Sequence, residues 1–240
     1  MRRAQLLLGT LVEVGAENAA ALSGAFEAIA HVHARMSRFE ATSDIGRFHA
    51  LPQGGSIEVD AQTAEVLAAA AELHAQSRGA FDIALGSAGD GWRIEGLTLT
   101  RLDAAVRLDL GGIAKGHAVD RGIAALRASG CTAGYVNAGG DLRVFGALEL
   151  PVVLRDERRG GVRPFCTLSD GALATSHFAA SSRSTLFTTR RARAADSAER
   201  SVSVAAPTCL MADALTKIVS AAGRADHPLL ARHGATAWLH

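Results

Sequence analysis

One stretch constrains this chain more than any other: Leu108-Asp109-Leu110-Gly111-Gly112-Ile113-Ala114-Lys115-Gly116-His117-Ala118-Val119-Asp120. Residues 106–110 read as a short apolar strand, Gly111 and Gly112 as a tight turn, and residues 113–129 as a helix. An acid therefore ends the strand, and a lysine falls in the first helical turn. Glycines let a backbone approach a ligand closely, and the free N–H groups at a helix start attract anions such as a pyrophosphate. Lys115 is followed by Gly116 rather than Ser or Thr, which excludes a P-loop, and the G-x-G-x-x-G spacing of a dinucleotide turn is missing. On these residues alone two readings stay open: a phosphate-binding turn, or a plain strand-to-helix connection with Lys115 on the surface.

The remaining periodicities frame that turn. Residues 6–14 read as a strand, and residues 18–39 as a long helix carrying Leu22, Phe26, Ile29 and Met36 at helical spacing. A polar loop over residues 40–46, a short strand at Ile57 and Val59, and an alanine-rich helix over 61–78 closed by Gly79 follow. Beyond the central helix come short apolar runs at 134–138, 142–145, 150–154 and 165–168, separated by Gly, Asp or Pro as in antiparallel hairpins. A strand at 201–206, a helix at 209–222 and a closing strand at 236–239 complete an α+β pattern, read as a single domain over residues 1–240. Residues 190–200, with Arg190, Arg191 and Arg193, read as a solvated hairpin tip.

Composition bounds the partners. Charged residues make up 20% and the formal net charge is +1, so no global field recommends nucleic acid, and the expected ligand is a small molecule. Cys131, Cys166 and Cys209 stand in no metal-binding pattern and read as buried thiols. The leucines after Met1 are interrupted at once by Gly9, Thr10 and Glu13, too early for a signal segment or a membrane span. The expected location is cytoplasmic, or periplasmic if a leader has been removed.

The stretch from Asp109 to Asp120 resembles the D-x-G-G-I-A-K-G-x-x-x-D hallmark of the ApbE family of flavin transferases. Leu8-Gly9-Thr10, Met36-Ser37-Arg38-Phe39 with Ser43-Asp44-Ile45, and Gly79-Ala80-Phe81-Asp82-Ile83 resemble further family motifs in the same order. So do Val136-Asn137-Ala138-Gly139-Gly140-Asp141, Ala174-Thr175-Ser176, Ser201-Val202-Ser203-Val204 and Ala212-Asp213-Ala214-Leu215. The resemblance implies antiparallel sheets flanked by helices around a central flavin cleft. It implies FAD and Mg²⁺ as cofactors and transfer of FMN from FAD to a Ser or Thr of an acceptor redox protein, with release of AMP. Met36, Ala80, Phe81, Asp82, Asp109 and Lys115 would line the FAD site; Gly112, Asp213 and Thr216 would serve the metal.

Two departures from the family pattern bear on chemistry. The family's A-D-A-L-x-T becomes Ala212-Asp213-Ala214-Leu215-Thr216-Lys217, so a lysine stands four residues after the aspartate. A lysine about 4 Å from a divalent ion would be repelled by on the order of 8 kcal/mol at an effective dielectric of 20. Either Lys217 points away and Thr216 helps bind the ion, or the ammonium pairs with Asp213 and takes the cation's position. Residues 184–200 also carry no histidine and no Asp-Pro where the family has H-x-x-D-P, and His177 is the nearest substitute base. An FAD-binding paralogue without catalysis and an FAD pyrophosphatase are the alternatives to a transferase.

Overall fold

Leu8 (φ +56°) and Gly9 (φ +71°) fold the start of the chain back on itself, joining β1 (Arg2–Leu7) to β2 (Thr10–Ala16). Two central residues with positive φ make the kind of turn whose twist matches antiparallel strands. The single strand expected over residues 6–14 is therefore a hairpin, broken at Leu8 and Gly9. This computed structural model describes residues 1–156, 160–178 and 200–240. Most of residues 184–200, and with them the expected hairpin tip and the place of the missing histidine motif, lie outside the described residues.

Asn18 caps α1 (Ala19–Met36) by accepting from the Ala20 amide at 2.9 Å. Ser43 does the same for α2 (Asp44–Ala50), accepting from Gly46 N at 2.9 Å; seven residues are too few to show a helical period, so this turn read as loop. β3 (Ser56–Glu58), α3 (Ala61–Gln76), β4 (Trp92–Glu95) and β5 (Thr98–Arg101) follow, the strands forming a small sheet in the order β3-β5-β4. Then come α4 (Ala114–Ala128), β6 (Gly134–Ala138), β7 (Asp141–Arg155), β8 (Val162–Phe178) and β9 (Arg200–Ala206). The chain closes with α5 (Cys209–Ala222), α6 (Pro228–Arg232) and β10 (Thr236–Leu239). The main sheet runs β1-β2-β6-β7-β8-β9-β10 and every pair in it is antiparallel. This is the α+β arrangement of antiparallel sheets and flanking helices that the sequence implies.

Residues 106–110 are irregular and, apart from Arg107, buried, joining no ladder, contrary to the strand expected there. Their amides go elsewhere: Arg107 N to Ser87 Oγ, Leu108 N to His49 Nε2 and Asp109 N to the Ile83 carbonyl, each at 2.9 Å. Every buried amide needs a partner, and side chains and a loop supply what a neighbouring strand would have given.

Alternate strand residues face opposite ways, and the main sheet uses both faces. Val12, Val14, Val136, Ala138, Ala172, Ala174, Val202 and Val204 belong to the main core, together with α1, α4 and α5. Leu142, Val144, Leu168 and Leu173 form a smaller cluster on the other face, with Tyr135 and Trp238 beside them. α5 is buried along most of its length, so its Asp213, Thr216 and Lys217 are polar groups inside a core and require partners.

Candidate functional site

The turn at Gly111 and Gly112 is held from below by Asp109. Its buried carboxylate accepts from Gly111 N at 2.8 Å and pairs with Arg38 Nε at 3.0 Å, tying the turn to the end of α1. α4 begins with no side chain capping its amides. Lys115, in its first turn, pairs with Asp141 at the start of β7, just after the positive-φ glycines Gly139 and Gly140. A Cβ at Gly139 would meet Thr10 Oγ1 at 2.4 Å, so this turn fits against β2 only as glycine.

α5 brings up the second carboxylate. Asp213 Oδ2 accepts from Gly116 N at 3.2 Å, and Asp213 also pairs with the Lys217 ammonium one turn along. Lys217 Nζ reaches the Asp213 carbonyl at 3.0 Å and Ser176 Oγ at 3.1 Å. Thr216 Oγ1 donates to the same carbonyl at 2.6 Å and lies 2.9 Å from Ser176 Oγ. Two lysines and two aspartates thus share one interior cluster with a formal charge of zero. Burial disfavours charge on Lys115, Asp141 and Asp213, and the neighbours decide the outcome. Burial and the Asp213 charge push Asp141 up to about 7 against the pull of Lys115 and Lys217. Burial would raise Asp213 too, but Lys217 and Lys115 hold it below the usual carboxylate range. For Lys115, burial is outweighed by Asp141 and Asp213, and the ammonium is held more firmly than usual.

Two cavities meet at the glycine turn. One, of about 400 Å³, has apolar walls from Leu8, Val32, Met36 and Phe39, with Arg38, Asp109, Gly111 and Lys115 at its polar end. The other, of about 710 Å³, is bounded by the Gly139-Gly140 turn, by β7 and β8, and by Gly111, Lys115, Asp213 and Lys217. Gly111 and Lys115 belong to both walls.

Of the residues expected at an FAD site, Met36, Asp109 and Lys115 come together around the smaller cavity. Ala80, Phe81 and Asp82 stand outside both walls. Phe81 is fully buried, its carbonyl 2.9 Å from His74 Nδ1, and Asp82 accepts from Ala84 N and Gly86 N at 2.8 Å. That segment meets the site through the bond from Asp109 N to Ile83 O. Of the residues expected to serve a metal, Gly112 is buried in the turn, Asp213 lines the larger cavity, and Thr216 lies behind Asp213 with its hydroxyl engaged. His177 also lines the larger cavity, with Nδ1 3.1 Å from Ser201 Oγ, but it points to the sheet face opposite Ser176, Asp213 and Lys217. Arg38, Asp141 and Ser176 were missed as individual partners, although each stands in a motif the sequence displays.

Magnesium seeks near-octahedral oxygen coordination. Among the described residues no group of three or more His, Cys, Asp or Glu side chains is placed to hold a metal ion. More tellingly, the Asp213 carboxylate is occupied by an ammonium and Thr216 by a backbone carbonyl, so these side chains as they stand do not fit a divalent ion. Among the described residues no helix is long and apolar enough to cross a membrane.

A FAD:protein FMN transferase of Rhodobacter capsulatus is 32% identical over 161 residues, taking in 53% of this chain and 31% of the relative, so the chain spans about a third of that relative's length. The ApbE protein of Thermotoga maritima superposes with a TM-score of 0.81 at 21% identity, over 100% of this chain and 93% of that one. The flavinyl transferase ApbE of Pseudomonas stutzeri gives 0.77 at 22%, over 100% and 90%. At such identities the two structures speak for the fold. The sequence itself matches the ApbE family over residues 8–239, and the chain belongs to that family.

Proposed function

We propose that this chain binds FAD across the two cavities and transfers its FMN half to a Ser or Thr hydroxyl of an acceptor protein. The observation that carries the reading is the wall shared at Gly111 and Lys115: an apolar slot on one side, a larger chamber of mixed lining on the other, and a cation with a glycine turn between them. A dinucleotide has that order of parts, with a flat ring at each end and a pyrophosphate in the middle. Val32, Met36 and Phe39 would take a ring, and Lys115 with the glycine turn would take the phosphates. Asp109 and Arg38 hold the turn in shape, while Ile83, next to Asp82, accepts from the Asp109 amide behind it.

In the transfer, the acceptor oxygen forms a phosphoester bond to the FMN phosphorus as the bond to the bridging oxygen breaks. AMP leaves with that electron pair, and the hydroxyl proton passes to a base. His177 is the candidate base because it opens onto the chamber that Lys115 also faces. Its orientation away from the interior cluster favours one second reading, a protein that holds and presents FAD without turning it over. The remaining alternative is a pyrophosphatase that uses water in place of the acceptor hydroxyl.

The test is incubation with FAD and an acceptor bearing a Ser/Thr flavinylation motif, with and without Mg²⁺, followed by in-gel flavin fluorescence and AMP release. Labelled acceptor with AMP supports transfer. AMP alone indicates the pyrophosphatase, and tight FAD binding with neither product indicates the carrier. Lys115→Ala should weaken FAD binding by about 1.5–3 kcal/mol, the range for a charge-assisted hydrogen bond. Unchanged titration would remove the pyrophosphate from this turn.

A further inference from the structure

We infer that the Lys217 ammonium takes the place of a divalent cation in this site, so that the chain binds a dinucleotide pyrophosphate without metal. The inference rests on the FAD reading for its ligand, though not for its geometry. An ammonium has three donors. Here all three meet oxygen: the Asp213 carboxylate, the Asp213 carbonyl at 3.0 Å and the Ser176 hydroxyl at 3.1 Å. Hard oxygens converging on one point are what a magnesium ion would require, and a charged nitrogen already fills that point.

Lysine is rarely buried unless paired, and this side chain is only 3% exposed. It nonetheless belongs to the wall of the 710 Å³ cavity, beside Lys115 and Gly111, so its charge faces the space assigned to the phosphates. A divalent ion there would have to share the Asp213 oxygens with a like charge in contact. Thr216 offers no relief, because its hydroxyl is turned onto the Asp213 carbonyl and Ser176. Charge balance points the same way. Lys115 and Lys217 already neutralise Asp141 and Asp213, whereas a bound ion would leave two uncompensated positive charges before any ligand arrived.

Two measurements on the unaltered protein decide the matter. The first is Mn²⁺ titration without nucleotide, read by electron paramagnetic resonance. The expected result is no site-bound Mn²⁺, and Lys217→Thr should gain one ion that Asp213→Asn in the same background abolishes. The second is FAD titration by flavin fluorescence in EDTA and in Mg²⁺, where the two dissociation constants should agree within about threefold. The inference is overturned if the parent protein binds Mn²⁺ in a manner lost in Asp213→Asn, or if EDTA weakens FAD binding by about tenfold or more. Should FAD fail to bind under either condition, the FAD reading falls, and the Mn²⁺ titration still decides the role of Lys217. Should Lys217→Thr fail to fold, the parent measurements stand without it.

Discussion

The amide of Gly116 donates to the carboxylate of Asp213 where α4 crosses α5, and a Cβ added at Gly116 would lie 2.2 Å from the Cys209 carbonyl oxygen. The obstruction is backbone, which cannot swing aside as a side chain can. Gly116→Ala should therefore lose about 1–3 kcal/mol to overpacking, outweighing the gain in helix propensity of about 1 kcal/mol. Gly24, in α1, meets nothing within 4 Å, so Gly24→Ala should show that propensity gain alone. Urea denaturation of both variants checks the contrast; equal stabilisation would mean that the helices do not cross this closely.

Asp120 fastens the start of α5 from a distant part of the chain. Its two oxygens accept from Cys209 N and Leu210 N, each at 2.9 Å, and Arg143 pairs with it at 2.5 Å. Replacing it with alanine strips two helix-initial amides of their acceptor, and Asp120→Ala should lose about 2 kcal/mol, with Asp120→Asn losing less. Because α5 carries Asp213 and Lys217, FAD titration should weaken in parallel with the fall in denaturation midpoint. A variant as stable as the parent would show that Thr208, the local cap, suffices alone.

His117 links stability to pH. Burial and the Arg121 charge lower its pKa from 6.5 to about 4, and its buried Nε2 has no hydrogen-bond partner among the described residues. Between those two values the unfolded chain binds a proton that the folded chain refuses, so stability falls as pH falls through the window. On going from about pH 7.5 to about pH 4.5, the parent should lose roughly 1–3 kcal/mol more than His117→Phe, which has no proton to bind. Chemical denaturation at the two pH values gives the difference. Parallel losses in both proteins would place the sensitivity elsewhere.

What the sequence revealed follows from how local each feature is. The Asp213–Lys217 pair was readable as an alternative because four residues on a helix are always neighbours. Its closure by Ser176 was not, since that contact spans 41 residues and depends on the register of β8 against β9. Likewise the Lys115–Asp141 pair needs β7 to begin beside α4, although both residues stand in recognisable motifs. Leu8 at positive φ carries no composition signal, which is why the first hairpin read as one strand. Residues 106–110 have strand composition but no strand partner, and only the fold says that His49, Ser87 and Ile83 take their amides.

The pairing of β2 with β6 has a consequence for how the molecule assembles. The Tyr135 hydroxyl reaches Glu13 across 122 residues of sequence, and everything from α1 to α4 is made between them. As the chain emerges from the ribosome, the first hairpin is complete early, but the inner edge of β2 waits unpaired until β6 appears. Closing so long a loop is slow, and an open strand edge is a template for pairing with another chain. The interval between synthesis of β2 and β6 is therefore when nascent copies are most exposed to joining one another, and when a chaperone covering that edge would matter most.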